Sequence, residues 1–187
     1  MLSKSEKQFL LEIARASVGA AVRLETAPKR GDCPPVILRP SGAFVTLHEK
    51  GELRGCIGYI EAIKPMIDTV REVAAKAATS DPRFAPVTPE ELPILEIEIS
   101  VISPMKRIQN IDEIEVGKHG LLLERGMYRG LLLPQVATEY GWDRETFLNQ
   151  TARKAGLEPT AWKKPGTTIY TFTAEIFGER SMDSQHS

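Results

Sequence analysis

Apolar positions recur at helical spacing from the start of the chain. Phe9, Leu10, Ile13, Ala14, Ala20, Ala21 and Leu24 fall three or four residues apart with charges between them, which predicts an amphipathic helix. Ser3 and Glu6 stand at capping-box spacing before it, each able to satisfy a backbone N–H of the first turn. Pro28 to Pro35, with Lys29, Arg30, Gly31 and Asp32, predicts a loop. Ala43–His48 and Leu53–Ile60 predict two strands joined by a tight turn at Lys50-Gly51, where glycine reaches positive φ at little cost. A second helix opens at Pro65 and buries Met66, Ile67, Val70, Val73, Ala74, Ala77 and Ala78; Asp81-Pro82 ends it. Thr88, Pro89 and Glu91 repeat the capping pattern for a short helix. Leu95, Ile97, Ile99 and Val101 then alternate with Glu96, Glu98 and Ser100, the clearest strand pattern in the chain.

Past Pro104 the pattern changes. Two Gly-Leu-Leu-Leu stretches, 120–123 and 130–133, flank Arg125-Gly126-Met127 and predict a second hairpin. Pro134 begins a short helix that Gly141 stops, and Asp143 caps another carrying Phe147, Leu148, Ala152 and Ala155. Lys163-Lys164-Pro165-Gly166 is a loop, and Thr168–Phe177 a last strand with Tyr170, Phe172, Ala174 and Ile176 on one face. Gly178–Ser187 is a polar tail. Hairpins interspersed with helices, without sustained βαβ alternation, predict an α+β protein with mainly antiparallel pairing. Residues 105–165 form a unit inserted before the final strand, leaving 1–104 and 166–187 as the larger part.

Composition narrows the function classes. With 42% hydrophobic and 26% charged residues the chain is an ordinary globular protein. A net charge of −1 supplies no overall field for nucleic acid or membranes. The longest stretch without Asp, Glu, Lys or Arg, Pro165–Ala174, is far short of a spanning helix. Lys4, Glu6, Lys7 and Glu12 interrupt any signal-peptide core, so a cytoplasmic protein is expected. Two cysteines, Cys33 and Cys56, and three histidines, His48, His119 and His186, predict no disulfide framework, no metal site and no cofactor.

One segment carries candidate chemistry. Leu53-Arg54-Gly55-Cys56-Ile57-Gly58 places a cation, a thiol and two glycines within one strand. Strand glycines mark a bulge or the close approach of another backbone or ligand. Arginine offers a planar fork to an anion, and a nearby cation favours a thiolate. Regular alternation puts Arg54 and Cys56 on one face. The competing reading is a packed cysteine and an arginine paired with a carboxylate, such as a strand glutamate. A two-residue turn sets Leu47 opposite Arg54, Val45 opposite Cys56 and His48 opposite Leu53, which separates His48 from Cys56 unless a bulge at Gly55 shifts the alternation. Gly55–Gly58 matches the bare GxxG spacing of an RNA-binding KH loop, and the strand begins like an RRM sheet motif. Neither context fits: the KH loop joins helices, and Cys56 and Gly58 occupy positions where base stacking needs aromatic rings.

The hexapeptide resembles the hallmark of the AMMECR family, whose prokaryotic members are called AmmeMemoRadiSam system protein A. The resemblance extends over Asp81-Pro82-Arg83-Phe84, the strand Glu96–Ser103, Gly130–Gln135, Gly141-Trp142-Asp143 and Lys154–Leu157. It implies two α+β subdomains, each with a mainly antiparallel sheet and flanking helices, separated by a cleft that the hexapeptide lines. It implies a bulky substrate or protein segment as ligand, and co-occurrence with Memo-like and radical SAM proteins in a modification system. Cys56 is then the candidate catalytic thiol, with Leu53, Arg54, Gly55, Ile57, Gly58, Asp81 and Arg83 as binding residues. The alternative is a non-catalytic protein-binding or adaptor module. For Asp81 and Arg83, a helix-ending turn with a local ion pair competes with a place in the cleft.

Overall fold

The computed structural model describes residues 1–180; the expected mobility of the tail beyond Arg180, His186 included, lies outside the described residues. The chain folds as two compact units, Met1–Ile102 with the chain from Glu175, and Ser103–Ala174.

In the first unit, helix α1 (Lys4–Val22) begins with the predicted capping box, Ser3 and Glu6 each accepting from the other's backbone N–H, an arrangement worth about 1 kcal/mol. Strands β1 (Gly42–Glu49) and β2 (Glu52–Tyr59) form the predicted hairpin. Lys50 at φ 53 and Gly51 at φ 86 supply the two positive φ angles of a type I′ turn, whose twist matches that of the strands. Helix α2 (Met66–Thr79) buries every residue of its predicted stripe. Strand β3 (Leu95–Ile102) pairs antiparallel with β1. Strand β8 (Ala174–Gly178) completes a four-stranded sheet of order β2-β1-β3-β8. One face carries Ala43, Val45, Leu47, Leu95, Ile97 and Ile99 into a core shared with both helices. Each large aliphatic side chain so buried contributes roughly 1.5–3 kcal/mol. The other face carries Phe44, Thr46, His48, Glu96, Glu98 and Ser100, because side chains alternate along a strand.

The second unit is built on a sheet of order β4-β7-β5-β6. Strand β4 is Lys106–Arg107, β5 Gly120–Arg125, β6 Tyr128–Leu132 and β7 Thr168–Phe172. Helices α3 (Pro134–Glu139) and α4 (Arg144–Lys154) flank it, the latter capped by Asp143 as predicted. Phe147 and Leu148 of α4 pack with Leu121 and Ile114. Gly130 is needed here: a Cβ would sit 2.4 Å from Ala155 N, where the end of α4 lies on β6.

Three expectations change. Thr168–Phe177 is two strands in two sheets: β7 pairs with β5, with Leu121 opposite Thr171, while β8 lies beside β3. The unit expected to stop at 165 therefore runs on through Ala174. The chain changes sheets at Thr173, whose N–H donates to Ser103 Oγ while its carbonyl accepts from Ser103 N–H, both at 2.9 Å. The inward phase flips there, so Phe177 is buried and Ile176 is 39% exposed. Second, the helix expected after Thr88 is a single 3-10 turn, Leu92–Ile94, since Pro93 supplies no N–H to continue it. Third, Glu179 is no loose tail: its carboxylate accepts from Arg15 and from Ile97 N–H.

Candidate functional site

The register of the first hairpin decides the site. His48 pairs with Leu53 as expected, but Leu47 pairs with Gly55, so Arg54 is an extra residue bulged from β2. The expected opposition of Leu47 with Arg54 and Val45 with Cys56 is replaced by Leu47 with Gly55 and Thr46 with Cys56. Gly55 thereby faces the core, where a Cβ would stand 2.2 Å from the Ala77 carbonyl oxygen of α2. Ile57 packs on the same core, and Leu53 stays exposed. Cys56 and Gly58 turn to the other face, Gly58 so close under Phe44 that a Cβ would meet the ring at 2.2 Å. The bulge falls at Arg54 rather than at Gly55, and it puts Cys56 and His48 on the same face.

No Cys–His pair results. Cys56 Sγ accepts from the Thr46 hydroxyl at 3.3 Å. His119 Nδ1, the other histidine candidate, accepts from Glu115 N–H in the second unit. Burial pushes the Cys56 thiol above its ordinary pKa; the Thr46 hydroxyl and Arg83 pull it down, and the Asp81 and Glu98 carboxylates raise it further. The thiol is neutral at neutral pH. Thr46 pairs with Cys56 on one side and Glu98 on the other, so thiol, hydroxyl and carboxylate form a row across β2, β1 and β3. Among the described residues no cation pairs with Glu98. Beside the row, His48, Glu96, Glu98, Gly178 and Arg180 line a depression of about 440 Å³.

Arg54 does not stand by the thiol. Its guanidinium is bound by Glu91, Nε to Oε1 at 2.7 Å and Nη2 to Oε2 at 3.1 Å. It also donates to the carbonyls of Ala85 and Pro86. The expected support of a thiolate by Arg54 is therefore absent, and its carboxylate partner is Glu91 rather than a strand glutamate. The Cys56 N–H and C=O point away from β1, and because β2 is an edge strand no further strand pairs with them. The N–H donates to Asp81 Oδ2 at 2.8 Å, and the carbonyl accepts from Arg83 Nη2 at 3.5 Å. Asp81 and Arg83 are themselves joined by two side-chain hydrogen bonds, at 3.0 and 2.7 Å. Together they occupy the donor and acceptor that a neighbouring strand would take. The segment 81–91 is thus a strap along the free edge of β2, held at one end by Asp81–Arg83 and at the other by Arg54–Glu91. Exposed edges invite pairing with other chains, and a strap of charged side chains prevents it.

The Arg83 guanidinium holds the Asp81 carboxyl well below the usual carboxylate range, against the cost of burial. Glu91 is likewise held low by Arg54. The structure brings Cys56, Asp81 and Arg83 together as partners of one another, while Arg54 is held by Glu91 and Gly55 lies against Ala77. Sequence reasoning missed Thr46, Glu98 and Glu91. The strand glycine after Arg54 was the one signal for them, since shifting the register by that residue puts Thr46 and Glu98 beside the thiol. Among the described residues no group of three or more His, Cys, Asp or Glu side chains is placed to hold a metal ion, and no helix is long and apolar enough to cross a membrane.

The chain is similar to known proteins over most of its length. A protein of Methanothermobacter thermautotrophicus is 48% identical over 185 residues, covering 95% of this chain and 96% of its own. One of Thermococcus kodakarensis is 45% identical over 183 residues, covering 92% of this chain and 89% of its own. The crystal structure of an uncharacterised protein from Pyrococcus horikoshii superposes with a TM-score of 0.90 at 39% identity, covering 95% of this chain and 93% of that one. The AMMECR1 family model matches residues 11–177. The chain belongs to the AMMECR1 family.

Proposed function

We propose that the chain is a non-catalytic recognition module whose sheet face bearing Cys56, Thr46 and Glu98 binds a segment of a protein partner. The surroundings of the thiol carry this reading: among the described residues Cys56 Sγ is held by the Thr46 hydroxyl with no histidine partner, and Arg54 and Arg83 are committed to Glu91 and Asp81 in the strap. A row of thiol, hydroxyl and a carboxylate without a cation partner among the described residues suits the recognition of a peptide better than acyl or group transfer, which needs an activated nucleophile. The family resemblance supplies the candidate partners, Memo-like and radical SAM proteins, and the chain would act as the component that recognises them or their substrate.

Co-purification with the Memo-like and radical SAM proteins of the same organism tests the proposal. Complex formation should survive Cys56→Ala and fail with Glu98→Lys, which inverts the charge at the face while leaving the core untouched. A complex or covalent adduct lost in Cys56→Ala but retained in Glu98→Lys would instead support thiol chemistry.

A further inference from the structure

The second unit presents a different surface. The turn joining β5 to β6 is Gly126-Met127, with Gly126 at φ 60. A two-residue turn with glycine first asks nothing apolar of its second position. Yet Met127 is 100% exposed and the next residue, Tyr128, 55% exposed. Both line a groove of about 920 Å³ whose other walls include Leu157, Ala161 and Pro165. Methionine is a flexible, polarisable side chain suited to moulding around an apolar ligand.

Charge names the ligand. Arg125 lines the groove, and among the described residues no acidic side chain pairs with it. The acid in the groove wall, Glu158, is already paired with Lys164. The groove thus offers an apolar trough and one uncommitted guanidinium, a planar fork that holds a carboxylate in two hydrogen bonds.

We propose that this groove docks a partner-protein segment carrying a bulky apolar residue beside an aspartate or glutamate. The apolar residue lies between Met127, Tyr128 and Leu157, and the carboxylate meets Arg125. This surface is independent of the Cys56 face. A chain that recognises segments at both would act as an adaptor.

Selection of a random twelve-residue peptide library against the full chain tests it, followed by fluorescence anisotropy on the enriched peptides. Enriched sequences should pair Leu, Phe, Met or Trp with a neighbouring Asp or Glu. Met127→Ser and Arg125→Glu should each weaken binding by about tenfold or more. Arg125→Lys should lose less, and Glu98→Lys in the first unit should change nothing. Both groove positions are exposed or half-exposed, so folding should be intact by circular dichroism. No enrichment, a consensus without acid, or affinity unchanged in Met127→Ser and Arg125→Glu would overturn the proposal. Self-association in sedimentation velocity that Met127→Ser abolishes would also overturn it, since the occupant would then be a second copy of the chain.

Discussion

Asp81 accepts the N–H groups of Cys56 and Arg83 and the guanidinium of Arg83 while only 5% exposed, so its ionised form is tied to the folded state. A carboxyl whose pKa is lower folded than unfolded contributes stability that is full above the unfolded value and disappears as pH falls through the folded one. Asp81→Asn should therefore destabilise by about 2 kcal/mol at neutral pH, and the gap to wild type should narrow below about pH 4. Urea denaturation at pH 7 and pH 3 measures both; a gap that widens in acid would refute the assignment. Cys56 makes the opposite kind of contribution. It fills space and accepts one hydroxyl, so Cys56→Ala should cost about 1 kcal/mol in the same assay. A loss several times larger would mean that the row from Cys56 to Glu98 holds the sheet together rather than presenting a face.

At the scale of elements, the bulge and the strap explain each other. Arg54 leaves the ladder, so its side chain can reach Glu91 and the carbonyls of Ala85 and Pro86, and the next residue must be small enough to pass under α2. Gly55→Ala drives a Cβ into the Ala77 carbonyl and should cost more than about 3 kcal/mol or prevent folding. Gly126→Ala, at positive φ where Gly55 is not, and in open space, should cost about 1 kcal/mol. Thermal melting of the two variants separates close approach from backbone strain. Most elements were legible because their signals are local: the Ser3–Glu6 box, the Lys50-Gly51 turn, the stripe of α2 and the alternation of β3. The bulge was legible only as a possibility marked by Gly55, because alternation around Arg54 reads equally well in either phase until Leu47 is known to share the core with Gly55. The sheet switch at Thr173 was hidden, since Thr168–Phe177 is β-prone without a break while its partners, Leu121 and β3, lie far away in sequence. Asp81, Arg83 and Glu91 were visible as residues and illegible as a strap, because edge pairing is a tertiary fact.

For the molecule as a whole, a net charge of −1 and a motif strand without stacking aromatics should give no nucleic-acid binding. Anisotropy with labelled RNA and DNA at low salt should stay flat, and salt-sensitive binding abolished by Arg54→Ala would contradict this. The segment Leu53–Gly58 is one mechanical unit, a bulged edge strand with its strap, that leaves Cys56 and Thr46 on a polar face. The central claim is that the Cys56 thiol is held neutral. The direct test is the pH dependence of iodoacetamide alkylation of Cys56 in the folded Cys33→Ser chain, followed by intact mass. The account predicts slow labelling at pH 7 and a midpoint above the ordinary thiol value of about 8.5. A midpoint near or below pH 7 would contradict it and return Cys56 to the role of nucleophile.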